Sequence, residues 1–244
     1  MLALLYRDDH LVAIDKPPGL LVHRSNLDRH ETRFAVQLLR DQLGRHVYPA
    51  HRLDKGTSGV LLFAFDADTA GILGRQFERG EVEKTYLAVV RGWPPASGTI
   101  NRALSRQHDD YGNLLANPEA QPAVTRFRRL ATIELPIAVE HFPTTRYALV
   151  ELEPLTGRRH QLRRHMKHIS HPIIGDATHG KGIHNRFFQR EFSCHRLLLA
   201  CTSLRFRHPV TGERIRIDAP PGDQFSALLE RFAWSQASAP LPAA

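Results

Sequence analysis

His51-Arg52-Leu53-Asp54-Lys55-Gly56-Thr57-Ser58-Gly59 leads directly into the apolar run Val60-Leu61-Leu62-Phe63-Ala64-Phe65. The run is short, β-branched and aromatic, and is bounded by Gly59 and Asp66, so it reads as a buried strand. Asp54 therefore lies in a loop anchored by a core strand, a common placement for groups that do chemistry. It is one carboxylate between two cations, Arg52 and Lys55. For an isolated Arg-x-Asp, the better reading is a surface turn whose charges neutralise one another. Only the rest of the chain can overturn that.

Working outward, residues 2–6 and 10–15 read as short strands, the second ended by Lys16-Pro17-Pro18-Gly19. Residues 32–43 carry apolar side chains at helical period, with Gly44 at the C′ position. A helix is expected from Asp66, its N-cap, to Arg79. Residues 84–90 read as a strand and 92–98 as a loop. Residues 105–121 form a polar excursion, and the segment 178–193 reads as a second long loop. Strands are expected at 122–134, 145–153 and Arg196–Phe206. The last pairs through the Thr211-Gly212 turn with 213–217. Helices are expected at 159–169 and 223–234. This mixture predicts an α+β fold, a mixed and largely antiparallel sheet flanked by helices and loops. Residues 1–234 are read as one domain and 235–244, rich in Ala, Ser and Pro, as a disordered tail.

The 244 residues contain 33 Lys plus Arg against 25 Asp plus Glu, a net charge of +8. That balance favours a polyanionic partner, nucleic acid first and an anionic membrane surface second. No apolar run approaches the roughly 18–20 residues of a membrane span, and the N-terminus lacks a signal peptide's basic region, so the cytoplasm is the expected location. Cys194 and Cys201 have neither knuckle nor redox spacing and read as free thiols.

Thr156-Gly157-Arg158-Arg159-His160-Gln161-Leu162-Arg163-Arg164-His165-Met166-Lys167-His168 is the second informative stretch. As a helix it lines up Leu162, Met166 and Ile169 as a core stripe, flanked by Arg159 and Arg163. A guanidinium at the edge of a core needs an anion, and Asp54 is the candidate. Arg164 and Lys167 fit a solvated face or one that contacts phosphates. His160, His165, His168 and His171 lack the four-residue helical zinc spacing and the accompanying Glu, so contacts to RNA or capping are preferred to a metal. Tyr86, on a strand, reads first as core; a base-stacking platform is the alternative.

In combination these segments resemble the pseudouridine synthases, in the branch of the large-subunit ribosomal RNA synthase A. The resemblance rests on Lys16-Pro17-Pro18-Gly19, on His51-Arg52-Leu53-Asp54 with Thr57-Ser58-Gly59, on Lys84-Thr85-Tyr86, and on Thr156-Gly157-Arg158 through His165, followed by His171-Pro172-Ile173-Ile174-Gly175-Asp176. It spans residues 2 to 217. It implies a cofactor-free and metal-free isomerisation of an RNA uridine in residues 1–234, with Asp54, Tyr86 and Arg163 catalytic. Tyr86 would accept the proton from C5. Arg52 would fill the stack left by a flipped base. His51, Lys16, Arg158, Arg159 and Arg164 would join Arg52 in binding RNA, His51 also supporting the loop, and Leu162 would line the uracil pocket. Within the family the likeness favours uridine 65 of transfer RNA as substrate, with ribosomal RNA the alternative, and a monomer needing no nucleotide cofactor. A binding protein without activity is the rival from another class. The intact set of Asp54, Tyr86 and Arg163 argues against it.

Overall fold

The structure is a computed structural model that describes residues 1–24, 30–105 and 119–237. Its strands are β1 (Ala3–Arg7), β2 (Leu11–Lys16), β3 (Tyr48–Pro49), β4 (Ser58–Ala64), β5 (Glu83–Arg91), β6 (Ser97–Asn101), β7 (Leu104–Ser105), β8 (Ala120–Gln121), β9 (Val124–Leu135), β10 (Thr145–Pro154), β11 (Leu199–Arg207) and β12 (Arg214–Asp218). Its helices are α1 (Ala35–Leu43), α2 (Ala67–Glu78), α3 (Gln161–His168), α4 (Gly182–Phe192) and α5 (Asp223–Arg231). Ten strands form one sheet in the order β1-β2-β4-β11-β5-β10-β9-β6, with β12 beside β11 and β3 beside β4. Every pairing is antiparallel except β4 with β11. The expected α+β class and mixed, largely antiparallel sheet are what the chain forms.

The sheet separates two cores because strand side chains alternate. Tyr86, Ala88 and Val90 of β5 and Leu199 and Cys201 of β11 face one core with Leu39 of α1, Leu73 of α2, and Leu162 and Met166 of α3. Leu87, Val89 and Ala200 face the other with Phe187 and Phe188 of α4 and Phe225, Leu228 and Leu229 of α5. All seven residues of β4 are buried, as in a strand covered on both faces, and Val60 to Ala64 all belong to the first core.

Asp66 caps α2 as its sequence position suggests, with Oδ1 accepting from the Thr69 N–H at 2.7 Å. Gly44 closes α1 in the left-handed region at φ 66°. Two expectations fail. The second long loop, 178–193, contains α4; its buried stripe is His184, Phe187 and Phe188, and a histidine in first place hides the period. The helix expected from 159 starts at Gln161, because His160 adopts φ 55°. Arg159 therefore lies outside the helix. Most of the 105–121 excursion and all of the tail beyond Ala237 lie outside the described residues, although Ala237 itself packs against the second core.

Candidate active site

The parallel pair β4–β11 brings two loops to one end of the sheet: residues 51–57 before β4, and residues 193–198 before β11. Both reach a cleft of about 670 Å³ whose walls include Arg52, Asp54, Arg158, Arg159, His160, Arg163, Arg164 and Asp176. Close backbone crossings hold the loops. A side chain at Gly59 (φ 103°) would put its Cβ 2.0 Å from the Cys201 carbonyl oxygen, and one at Gly175 (φ 80°) would lie 1.9 Å from that of Arg196. Only glycine permits both the approach and the backbone conformation.

At the floor, Arg163 joins two carboxylates. Its Nε and Nη2 donate to Asp176 Oδ2 and Oδ1 at 2.7 and 2.8 Å, and its Nη1 donates to Asp54 Oδ2 at 3.0 Å. Asp54 keeps 27 % of its side-chain surface exposed, against 10 % for Arg163 and 1 % for Asp176. Asp176 is thus the buried counter-ion, and Asp54 is the acid a ligand can reach. Burial alone would push the Asp176 carboxyl up. The Arg163 guanidinium and the N–H groups of His179 and Thr178 outweigh it and hold the pKa below the ordinary carboxylate value. Burial likewise opposes the Arg163 charge, and the two acids more than restore it. Helix α4 fixes Asp176 from behind: Asn185 Oδ1 accepts from the Gly175 N–H at 2.8 Å, and Asn185 Nδ2 donates to the Asp176 carbonyl at 2.9 Å. The motif reading gave Asp176 no role. Its signal was a Gly-Asp pair ending an apolar run, where the Gly marks a tight backbone crossing.

A sequence profile described as RNA pseudouridylate synthase matches residues 10–168. The chain belongs to this family. A tRNA pseudouridine synthase C of Vibrio cholerae is 50% identical over 238 residues, covering 97% of this chain and 98% of that one. The protein of that name from Yersinia pestis is 48% identical over 237 residues, covering 96% and 92%. Among solved structures, human RNA pseudouridylate synthase domain containing 4 superposes with a TM-score of 0.70 at 25% identity, covering 95% of this chain and 93% of that one. Human RNA pseudouridylate synthase domain containing 1 gives 0.68 at 27%, covering 100% and 97%.

In this pseudouridylate synthase the expected Asp54–Arg163 pair forms, across 109 residues of sequence. Arg52, Arg158 and Arg159 are exposed and Arg164 is half-buried, all on the cleft wall. Arg164 also donates to the Ser105 carbonyl at 2.9 Å. Two expected RNA contacts are placed differently. Lys16 is fully buried, and its Nζ donates to the carbonyls of Pro17, Leu20 and Lys55 at 3.0, 2.7 and 3.2 Å. Burial lowers its pKa to about 7. With its donors committed to backbone, Lys16 ties the first motif to the loop that carries Asp54 and cannot reach a phosphate. His51 stacks on Phe77 at 4.6 Å, and its Nε2 accepts the Leu62 N–H at 3.1 Å. That N–H lies where β4 passes from its neighbour β11, paired at Ser58 and Gly59, to β3, paired at Phe63 and Ala64. The imidazole replaces a missing ladder partner, so His51 is a loop support and not an RNA ligand.

Leu162 and Tyr86 lie in the first core behind the cleft, with 7% and 8% exposure. Burial raises the pKa of the Tyr86 phenol well above the ordinary value, and the neighbouring Cys201 adds to the shift. His165 is buried between Thr125 Oγ1 at 2.9 Å and the Arg102 carbonyl at 3.0 Å, and His171 Nδ1 meets the Arg91 carbonyl at 2.8 Å. These two histidines are braces. Among the described residues no three His, Cys, Asp or Glu side chains gather as a metal site, and no helix is long and apolar enough to cross a membrane.

Burial and the charge of Lys84 lower the His51 pKa to about 3, and burial lowers that of His160 to about 4. An unfolded chain protonates these rings from about pH 6.5 downward, while the folded chain resists. Their contribution to stability is therefore complete above pH 6.5 and is lost as pH falls toward 4. The melting temperature should drop between pH 7 and pH 5. His51→Gln should show a shallower drop; an unchanged slope would remove His51 as a cause.

Proposed function

We propose that the protein isomerises uridine 65 of transfer RNA to pseudouridine, acting as a cytoplasmic monomer through residues 1–234. The observation that carries this reading is the Arg163 fork, which leaves one carboxylate, Asp54, exposed at the foot of a basic cleft. The names of the bacterial relatives support tRNA as the substrate, and the motif likeness supports position 65.

The reaction breaks the N1–C1′ bond, turns the uracil and joins C5 to C1′. The C5 proton leaves and N1 gains one, so no oxidant or reductant is needed. Asp54 can serve by attack at C1′ or by taking the 2′-proton. Both roles need an oriented carboxylate, and Arg163 orients it from the cleft floor. A paired uridine must first leave its stack, at a cost of a few kcal/mol. Arg52, exposed on the same loop two residues before Asp54, is placed to fill the gap. Arg158, Arg159 and Arg164 bind the backbone phosphates. Tyr86 serves the chemistry from the core side, its ring beneath the base.

The test is incubation of the purified protein with unmodified transcripts of tRNA and ribosomal RNA, followed by chemical mapping of pseudouridine. We expect conversion at tRNA uridine 65 and none in ribosomal RNA. Conversion confined to ribosomal RNA would overturn the assignment.

A further inference from the structure

The two oxygens of Asp54 face different groups. Oδ2 is held by Arg163, while Oδ1 faces His160 Nε2 at 4.0 Å. His160 Nδ1 in turn meets His179 Nε2 at 3.0 Å, and the His179 backbone N–H donates to Asp176 Oδ1 at 2.9 Å. Asp176 is the other partner of Arg163. The contacts close a ring: Asp54, Arg163, Asp176, His179, His160 and Asp54 again. Both arms that reach the catalytic carboxylate are rooted in the turn 176–179.

We infer that His160 is a positioning residue for Asp54: it presents Nε2–H to the reacting oxygen Oδ1, and His179 fixes the tautomer that does so. The inference rests on the proposed uridine isomerisation and names a further member of that site. Three observations carry it. His160 lines the cleft, so its ring shares the space a uracil must enter. Its backbone sits at φ 55°, which a Cβ disfavours, and the residue stands at the N-cap, outside α3. Its Nδ1 has a partner, and when His179 Nε2–H donates to it the only proton left on the imidazole is on Nε2, toward Asp54.

At 4.0 Å the contact is about 1 Å longer than a hydrogen bond, and catalytic contacts of this kind commonly tighten once substrate fills the site. Burial, with the charges of Arg163 and Arg159 and the ring of His179, outweighs the facing Asp54 and leaves the ring neutral with a pKa of about 4. A neutral donor at Oδ1 orients the carboxylate without competing with Arg163 for its charge. In either chemical route Oδ1 is then the oxygen that reacts, because Oδ2 is committed to the guanidinium.

Steady-state assays on tRNA decide this, with His160→Leu, His160→Gln, His179→Leu and the double variant His160→Leu/His179→Leu. His160→Leu should lower kcat by about 10–100-fold, the value of a hydrogen bond to a charged group, with KM for tRNA within about twofold. His160→Gln restores an N–H near the same place and should recover most of the loss. His179→Leu should be impaired, and the double variant no worse than His160→Leu, because the two act in series. The wild-type pH profile should show no limb from His160 above pH 6. A Gln variant as poor as Leu, a loss confined to KM, or additive effects would each overturn the inference. The wild-type control separates these outcomes from failure of the function itself: a wild type without pseudouridine formation refutes the activity, while an active wild type with insensitive His160 variants refutes only the positioning role.

Discussion

Asp54→Asn should reduce pseudouridine formation by more than about 10³-fold while leaving the protein folded and bound to tRNA. The carboxamide keeps the shape of the side chain, and its oxygen can still accept from Arg163. It can neither attack C1′ nor take the 2′-proton, so the chemical step loses its acting group. Arg163 keeps both bonds to Asp176, so the buried guanidinium is not orphaned. The sign of the binding change is also fixed: one negative charge leaves a cleft walled by Arg52, Arg158, Arg159 and Arg164, so affinity for RNA should hold or rise. Filter binding and single-turnover conversion on one preparation read the two quantities. Turnover within tenfold of wild type would remove Asp54 from the chemistry.

Arg163→Lys should be nearly as damaging, by about 10²–10⁴-fold in kcat, and should also lower stability by about 2–3 kcal/mol. The guanidinium makes three bonds in fixed directions to two carboxylates. An ammonium is a point charge on a flexible stem and cannot reproduce that fork. Asp176, 1 % exposed at its side chain, would retain the lysine because it has no solvent to turn to. Asp54 would then lose its orientation. Both thermal unfolding and kcat should fall together. A Lys variant that keeps wild-type turnover would mean that charge alone, and not direction, is what Asp54 requires.

Much of this was legible in the sequence because strong local signals marked it. The buried run 60–65, the Asp66 cap and the Thr211-Gly212 hairpin each have a local physical cause, and each stands where expected. The Asp54–Arg163 contact was legible through a different cue, a cation placed beside an apolar stripe. What the sequence did not disclose is where side chains are spent inside the fold. Lys16 and His51 carry polar heads and read as RNA ligands, yet one is consumed by three carbonyls and the other by a strand N–H without a ladder partner. Such demands arise only once distant backbone has been brought together. Helix α4 was missed because His184 occupies a core position, bound by Tyr147 Oη at 2.8 Å and Arg91 Nε at 3.0 Å. A pattern of apolar residues does not register a histidine satisfied in this way. With α4 unseen, the Asn185 clamp and the meaning of Asp176 were out of reach as well.

The strand order carries a consequence for how the molecule can be divided. The family profile spans residues 10–168, but β11, contributed by residues 199–207, lies between β4 and β5 in the middle of the sheet. A piece cut at residue 168 would hold the motif carrying Asp54 and the motif carrying Arg163, yet it would have a gap where its central strand belongs and no Asp176 for the guanidinium. Arg196, which donates to Ser58 Oγ at 2.6 Å across 138 residues, would be missing from the foot of β4. The span that identifies the protein is therefore not a module that could be excised or transplanted. The last third of the chain is the keystone inserted between its two halves, and Asp54 acquires its setting only when that strand is in place.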